Sequence, residues 1–320
     1  MMNYSIIIPH RNIPQLLRRC LDSIPYRPDV EIIVVDDNSN PEIVDFSRFP
    51  GKERLDTNII LDKSGLGAGH ARNIGMKLAQ GKWLVFADAD DFFTYCFNDV
   101  LDEYRNHEAD IIFFKVSCIH CDYYTNSDRA DSYNRKVHYY HEDPASGEMS
   151  IRYDVSPPWG KLIKHSLVSK NNIVFPETLI HEDVKFSYMT GHCAKMITVD
   201  RRAFYCLSYR AKSISYTVSD EIIIDRAKVY AERERFFHDN NIPINGLRVI
   251  LSDLIAIRKQ GKMPVYSQCL KIFSEFGFSN KQVEKMMDKE LHRRKKIQAL
   301  KFVKKWLNRA KKIVIKGLRV

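Results

Sequence analysis

Short apolar runs that alternate with helical patterns constrain the fold of this chain more than any other feature of its sequence. The runs are rich in β-branched residues and do not alternate apolar with polar side chains, which is typical of strands covered on both faces. Helical patterns lie between them, at residues 14–24 and 71–78. This order predicts an α/β fold with a doubly wound, mostly parallel sheet. The runs are Tyr4–Pro9, Val30–Asp36, Asn58–Leu61 and Trp83–Asp88.

Polar segments follow three of these runs, at the point where each strand is expected to end. Pro9–Asn12 follows the first run, Asp36–Ser39 the second and Asp88–Asp91 the fourth. In doubly wound sheets, ligands bind outside the carboxyl ends of the strands, near the point where the strand order reverses. We therefore expect these three segments to meet at one ligand-binding edge.

The rest of the chain divides by its pattern into two parts. A further strand is predicted at 110–116, and a polar stretch rich in Tyr and Asp follows it to about residue 150. We interpret that stretch as hairpins or a mobile insertion. From about residue 218 the pattern becomes helical, so we expect an α/β domain at 1–217 and a helical C-terminal region at 218–320.

The net charge of +10 belongs to the C-terminal tail. Residues 281–320 hold 15 of the 50 Lys and Arg residues but only three acids, which leaves 35 basic and 37 acidic residues in the rest of the chain. Apolar residues and a tryptophan recur there at helical spacing, and such a basic amphipathic helix suits an anionic membrane surface. Packing of this helix on the rest of the protein is the alternative. No nucleic-acid partner is predicted, because no fold motif for that task accompanies the tail.

The cysteines and the N-terminus indicate a reducing, cytoplasmic setting. The seven cysteines are an odd number and are scattered, and no signal-peptide pattern opens the chain. No apolar run approaches the roughly 18 residues of a membrane-spanning helix. Cys118 and Cys121 have no second ligand pair at zinc-site spacing, so they are interpreted as ordinary thiols.

Two glycine-rich stretches fail as phosphate-binding motifs. The glycines of Gly65–Gly69 alternate, whereas a dinucleotide fingerprint requires G-x-G-x-x-G. Five residues separate Gly75 from Gly81, and Trp83 stands where a P-loop requires Ser or Thr. We interpret the first stretch as a loop that caps the helix beginning near Ala71.

The acids Asp88, Asp90 and Asp91 form the sharpest candidate site. Carboxylates this close together repel one another unless a cation neutralises them, and Mg²⁺ or Mn²⁺ prefers such oxygen ligands. A solvated turn that caps the next helix is the alternative. The acidic pair Asp36 and Asp37, which ends another strand, favours the metal site.

Six motifs together resemble, in order and spacing, the family 2 glycosyltransferases of GT-A fold, over about residues 3–215. The resemblance implies a nucleotide-binding half at 1–115, an acceptor half at 116–217, and transfer of a sugar from a nucleotide sugar with inversion. The motifs are Ser5–Pro9, Val35–Ser39, Ala71–Gly75, Asp88–Asp91, Trp159–Leu162 and His181–Asp183.

The same resemblance implies roles for individual residues on the donor side. Asp37 would read the uracil ring, Arg72 and Asn73 would lie against the diphosphate, and Asp88 would lie near the ribose. The full nucleotide-sugar set is Pro9, Asp37, Arg72, Asn73, Asp88 and Arg210. Many relatives carry Tyr where this chain has Arg11, which changes how the base would pack.

On the reaction side, the resemblance implies Asp90, with Asp91 as a weaker candidate, as ligands of Mn²⁺ or Mg²⁺. Asp183 would be the general base, with Glu182 beside it; first-turn helix acids favoured by the helix dipole are the alternative. Trp159 and Lys161 would line the acceptor side, although Trp159 suits a core position equally well. 

These expectations combine into one hypothesis: a metal-dependent enzyme that moves a sugar from a UDP-sugar to a glycan or lipid-linked acceptor in bacterial surface polysaccharide synthesis. It would be peripheral on the inner face of the plasma membrane. A sugar nucleotidyltransferase is one alternative, although its Gly-rich basic loop is absent after the first strand. A catalytically silent module that binds carbohydrate or membrane is the other.

Overall fold

The computed structural model describes residues 2–121, 123–209, 219–244 and 247–317. The chain forms two compact units, Met1–Thr217 and Val218–Val320. The strands are β1 (Tyr4–His10), β2 (Val30–Asp37), β3 (Thr57–Asp62), β4 (Trp83–Phe86), β5 (Phe92–Phe93), β6 (Ile111–His120), β7 (Lys161–Lys164) and β8 (Ile197–Tyr209).

Helices flank this sheet and make up the second unit. In the first unit they are α1 (Pro14–Asp22), α2 (Ala68–Leu78), α3 (Phe97–Tyr104), α4 (Asp131–Glu142), α5 (Pro144–Tyr153), α6 (His165–Lys170) and α7 (Glu182–Cys193), with a 3₁₀ turn at Phe46–Arg48. In the second unit they are α8 (Asp220–Asp239), α9 (Arg248–Lys259), α10 (Met263–Glu275) and α11 (Asn280–Gly317).

The strands of the described residues form one sheet in the order β3-β2-β1-β4-β7-β6-β8-β5. β3, β2, β1 and β4 are mutually parallel, and β6 is parallel to β8. β7 is antiparallel to both β4 and β6, and β5 is antiparallel to β8. The predicted α/β class with a mostly parallel sheet is confirmed, and the chain reverses its direction of growth at β1.

β1 and β2 are buried along nearly their whole length, as their unalternated apolar runs predict. α2 packs closely on β1 because Gly75 has no side chain. A Cβ added to Gly75 would lie 2.5 Å from Cγ2 of Ile7. This close approach fixes the position of α2 over the sheet, and with it Arg72, which lies one turn earlier on the same helix.

The expectation of hairpins before residue 150 holds only at the end of β6, where Ile119 forms an antiparallel bridge with Asn126, and most of the stretch is helical. β6 continues to His120, and the helices α4 and α5 follow. Both helices pack against the core of the first unit through a few buried side chains, Tyr133 and Val137 in α4 and Ile151 in α5. Most other positions of α4 are polar or charged, which hides this apolar stripe in the sequence.

The second unit is helical, as the sequence predicts. α8 buries one face that includes Ile223, Tyr230 and Phe237. Arg226 of α8 pairs with Asp253 of α9 at 2.5 Å. None of the helices in the described part of the chain combines the length and apolar character that crossing a bilayer requires.

Candidate functional site

Three aspartates crowd the turn that follows β4. The carboxylate oxygens of Asp88, Asp90 and Asp91 lie within 4.8 Å of one another. Asp88 and Asp90 are partly exposed, whereas Asp91 is only 4% exposed. Burial raises the pKa of Asp88, and the neighbouring Asp90 adds to this effect. Oxygen ligands at this density fit a hard divalent cation such as Mn²⁺ or Mg²⁺.

Asp91 anchors this turn to β8. Its Oδ1 accepts a hydrogen bond from the backbone N–H of Ser208 at 2.7 Å, and its Oδ2 accepts one from the hydroxyl of Tyr205 at 2.9 Å. Burial raises the pKa of Asp91 well above its usual range. Because both oxygens are engaged within the protein, the geometry favours Asp90 and Asp88 over Asp91 as ligands for a cation.

Two residues that support the turn were missed by sequence reasoning. Arg19 of α1 donates to the backbone oxygen of Asp90 and to Oγ of Ser208, the latter at 2.7 Å. The hydroxyl of Tyr205 accepts a hydrogen bond from the backbone N–H of Asp88 at 2.8 Å. No local pattern marks either residue, because their partners lie far away in the sequence.

Arg72 links the acidic turn to α7. Its guanidinium donates to Oδ1 of Asp88 and to Oε1 of Glu182, each at 2.7 Å. The residue is 4% exposed, and its guanidinium lies 5.4 Å from the ring centroid of Phe175. The two carboxylates neutralise the buried cation, whose Nε alone lacks a hydrogen-bond partner among the described residues, and they hold the turn and the first residue of α7 together across the site.

The side chain of Asn73 binds the backbone of Phe175, in the segment before α7. Its side-chain amide donates to the backbone oxygen of Phe175 at 2.8 Å, and its side-chain oxygen accepts from the N–H of Phe175 at 2.9 Å. Asn73 therefore holds the segment before α7 as a strand neighbour would. The amide is thus engaged on both sides by Phe175, and the contact of Asn73 with the diphosphate stays a prediction.

Asp183 lies in the first turn of α7, beside Glu182. Burial raises the pKa of Asp183 to about 7, and the adjacent Glu182 carboxylate adds to the effect. His181, which precedes the helix, has a φ of 58°, a left-handed conformation that non-glycine residues rarely adopt. A carboxylate with a pKa near neutrality can accept a proton far better than an ordinary surface aspartate.

Asp37 lies at the end of β2 and is 3% exposed. Its oxygens accept hydrogen bonds from the N–H of Gly67 at 3.1 and 3.2 Å, and Arg11 donates to Oδ2 at 3.3 Å. Gly67 immediately precedes α2 and has a φ of 95°, so the glycine-rich loop folds back onto Asp37. Arg11, which stands where the resemblance leads one to expect Tyr, therefore contacts the predicted base-reading residue Asp37.

The neighbouring Asp36 secures the ends of β1 and β2. His10 lies 2.7 Å from its Oδ1, and the hydroxyl of Ser39 donates to the same oxygen at 2.5 Å. These hydrogen bonds outweigh the effect of burial, so the pKa of Asp36 is lowered. Pro9 pairs with Val35 at the same edge. The polar segments after β1 and β2 therefore lie at the carboxyl ends of these strands, as the sequence predicts.

The two expected acceptor residues differ in their surroundings. The half-buried Trp159 stacks on Tyr205 with ring centroids 6.0 Å apart and lies 5.3 Å from Tyr133. Lys161 is 2% exposed, and its Nζ donates to the backbone oxygen of Val155 at 3.0 Å. An ammonium buried in this way does not face an incoming acceptor. Arg210 falls outside the described residues.

Known proteins of similar sequence point to one enzyme class. The chain is 25% identical over 229 residues to the poly(ribitol-phosphate) β-N-acetylglucosaminyltransferase TarS of Staphylococcus aureus, an alignment that covers 67% of this chain and 37% of TarS. It is 24% identical over 250 residues to the putative glycosyltransferase EpsH of Bacillus subtilis, covering 74% and 70%. The chain thus spans little more than a third of the length of TarS.

Solved structures show the same fold. The structure of S. aureus TarS 1–349 in complex with UDP-GlcNAc matches with a TM-score of 0.59 and 20% identity, covering 86% of this chain and 81% of that one. The mannosyltransferase PcManGT of Pyrobaculum calidifontis, in complex with GDP-Man and Mn²⁺, matches with a TM-score of 0.53 and 15% identity, covering 89% and 78%. The sequence model of glycosyl transferase family 2 matches residues 5–198. This chain belongs to glycosyl transferase family 2 and has the GT-A fold.

Proposed function

We propose that this protein is a metal-dependent glycosyltransferase that moves a sugar from a UDP-sugar to an acceptor hydroxyl with inversion at the anomeric carbon. One observation carries the proposal. Arg72 joins Asp88 to Glu182 through two 2.7 Å contacts, so the acidic turn lies beside the helix that bears Asp183. A donor held at the turn would therefore present its reactive carbon near that aspartate. The names of the relatives and the UDP-GlcNAc complex of TarS support a UDP-sugar donor.

The donor side would be held by residues from two strand ends and from α2. Asp37 would accept a hydrogen bond from the uracil ring, which requires Arg11 or Gly67 to yield one of its present contacts. Asp90 and Asp88 would hold Mn²⁺ or Mg²⁺, and such an ion offsets the negative charge that develops on a departing diphosphate. Arg72 supplies a fixed positive charge between the turn and α7.

Asp183 would act as the general base. Its carboxylate takes the proton of the acceptor hydroxyl while that oxygen forms a bond to the anomeric carbon, and the bond between this carbon and the UDP oxygen breaks on the opposite face. UDP leaves with the electron pair of that bond. A base with a pKa of about 7 is ionised for much of the time at neutral pH and still holds a proton firmly. Trp159 and the segment around it would face the acceptor.

The setting we propose is the assembly of a bacterial surface polysaccharide on a glycan or lipid-linked acceptor at the cytoplasmic face of the membrane. The similarity to TarS, a poly(ribitol-phosphate) β-N-acetylglucosaminyltransferase, supports a polymeric acceptor. The basic residues of 281–320 would bind anionic lipid, each contributing about 1 kcal/mol near the surface.

Flotation with lipid vesicles tests the membrane proposal. The full chain is expected to float with vesicles that contain anionic phosphatidylglycerol and to stay behind with purely zwitterionic vesicles, because the attraction is electrostatic. A chain that ends at residue 280 should not float with either. Equal flotation of the two chains would show that the tail is not the membrane-binding segment.

Release of UDP from a panel of UDP-sugars tests the enzyme proposal. We expect one sugar to be hydrolysed slowly in Mn²⁺, faster when an acceptor glycan is added, and not at all in excess chelator. No UDP release from any member, with or without acceptor, would contradict a UDP-sugar transferase. Formation of a sugar nucleotide from a sugar phosphate and UTP would instead identify a nucleotidyltransferase.

A further inference from the structure

Lys161 carries a buried positive charge that the proposed reaction does not yet use. Its Nζ donates to the backbone oxygen of Val155 at 3.0 Å and to Oγ of Ser187 at 3.4 Å, and it lies 5.0 Å from the ring centroid of Phe113. The acceptors of both hydrogen bonds are neutral. Burying an ammonium against neutral groups is costly unless a negative charge lies nearby.

The hydrogen bond to Ser187 places this ammonium against a particular face of α7. Ser187 follows Asp183 by four residues, so the two side chains lie on the same side of the helix. Helical side chains also lean toward the N-terminus of their helix, so Oγ of Ser187 points toward the turn that contains Asp183. Oγ of Ser187 is itself fixed, since it donates to the backbone oxygen of Ser156.

We propose that Lys161 is a positioning residue whose buried ammonium keeps Asp183 in its charged, proton-accepting form. The inference deepens the proposed function and rests on it, because it matters for catalysis only if Asp183 is the base. It also reassigns Lys161 from the acceptor-binding role that its sequence motif suggests.

The charges around the two residues agree with this arrangement. Burial lowers the pKa of Lys161 to about 7, while Asp183 acts in the opposite direction and favours the charged lysine. Lys136 of α4 also disfavours that charge. Around Asp183, two groups favour its carboxylate form and two disfavour it. Those that favour it are Arg72 of α2 and Lys161 of β7, and those that disfavour it are Glu182 of α7 and Asp88 of the acidic turn.

Removing the ammonium should therefore raise the pKa of Asp183. An opposite charge close to a carboxylate lowers its pKa by about one unit or more, so Lys161→Met should shift the midpoint upward by about one unit. The direct measurement is a ¹³C NMR titration of protein labelled at the aspartate carboxyl carbons. The Asp183 signal is identified by its absence in Asp183→Asn, and no ligand or activity is needed.

Lys164→Met is the matched control. Lys164 lies three residues later on β7, so its side chain is on the opposite face of the sheet from that of Lys161, and its Nζ is 3.9 Å from Asp110. This variant should leave the Asp183 midpoint unchanged. A midpoint in folded Lys161→Met that equals that of the wild type would overturn the inference. If Lys161→Met does not fold, Ser187→Ala keeps the charge but removes its anchor; a smaller upward shift supports the inference, and an unchanged midpoint overturns it.

The pH dependence of UDP release from UDP-N-acetylglucosamine separates this inference from the proposed function. If the enzyme uses Asp183 as its base, the acidic limb of kcat/KM in Lys161→Met should move to higher pH by the same amount as the NMR midpoint. A residue with a purely structural role would lower the rate without moving that limb. An NMR shift in a protein that releases UDP from no member of the UDP-sugar panel would uphold the charge relationship and reject the transferase.

Discussion

Asp183→Asn is expected to lower the turnover of sugar transfer by about 10²- to 10⁴-fold, the range that positioned general bases contribute. The amide cannot accept the proton of the acceptor hydroxyl, but it keeps the size of the side chain. UDP affinity should stay close to that of the wild type, because Asp183 lies on the acceptor side of the proposed site. Steady-state kinetics and calorimetry with UDP measure the two quantities.

The role of Asp183 as base also predicts the direction in which activity changes with pH. Burial and the neighbouring Glu182 raise the pKa of Asp183 to about 7, so the carboxylate form is lost as the pH falls through that value. Wild-type kcat/KM should therefore rise with pH through about 7, and the asparagine variant should lack this limb. Transfer that proceeds normally in Asp183→Asn would remove this residue from the role of base.

Asp99→Asn is the matched control for this variant. Asp99 also lies in the first turn of a helix, but its side chain is exposed. If Asp183 served only the helix dipole, the two substitutions would have similar small effects of about 0.3–1 kcal/mol on stability and none on turnover. A large loss of turnover in Asp183→Asn alone separates the two interpretations.

Asp90→Ala is expected to abolish the contribution of Mn²⁺ to UDP binding and to lower turnover by roughly 10²-fold or more, since charge stabilisation by a bound cation is worth several kcal/mol. Calorimetry should show tighter UDP binding with Mn²⁺ than with chelator in the wild type and no difference in the variant. Asp99→Ala should behave as the wild type. An undiminished effect of Mn²⁺ in Asp90→Ala would reject Asp90 as a ligand.

The positions of the acids at the strand ends could be predicted from the sequence, because each depends on a short local pattern. The unalternated apolar runs of β1 and β2 predict buried parallel strands, and the acids at their ends follow directly. Asp88 and Asp90 therefore lie where the sequence places them. Gly65 and Gly67 lie in the predicted loop before α2, but the helix begins at Ala68 rather than near Ala71, so Gly69 lies inside it. The contact of Gly67 with Asp37 could not be foreseen.

The contacts that support the site could not be predicted, because their partners are distant in the chain. Asp91 is held by Tyr205, which lies 114 residues later and is brought close by the pairing of β5 with β8. β5 has only two residues, so no sequence pattern predicts it. The burial of Lys161 depends on how β7 inserts between β4 and β6 in the opposite direction. The contact of Lys161 with α7 exists only in the tertiary structure and has no local sequence pattern.

The position of Mn²⁺ in crystals soaked with Mn²⁺ and UDP tests the central claim most directly. The anomalous signal of manganese should lie at the turn after β4, bound by the carboxylate of Asp90, with the diphosphate of UDP on its other side and the uracil ring at Asp37. Ordered UDP with no manganese at residues 88–91, or manganese bound elsewhere, would contradict the account.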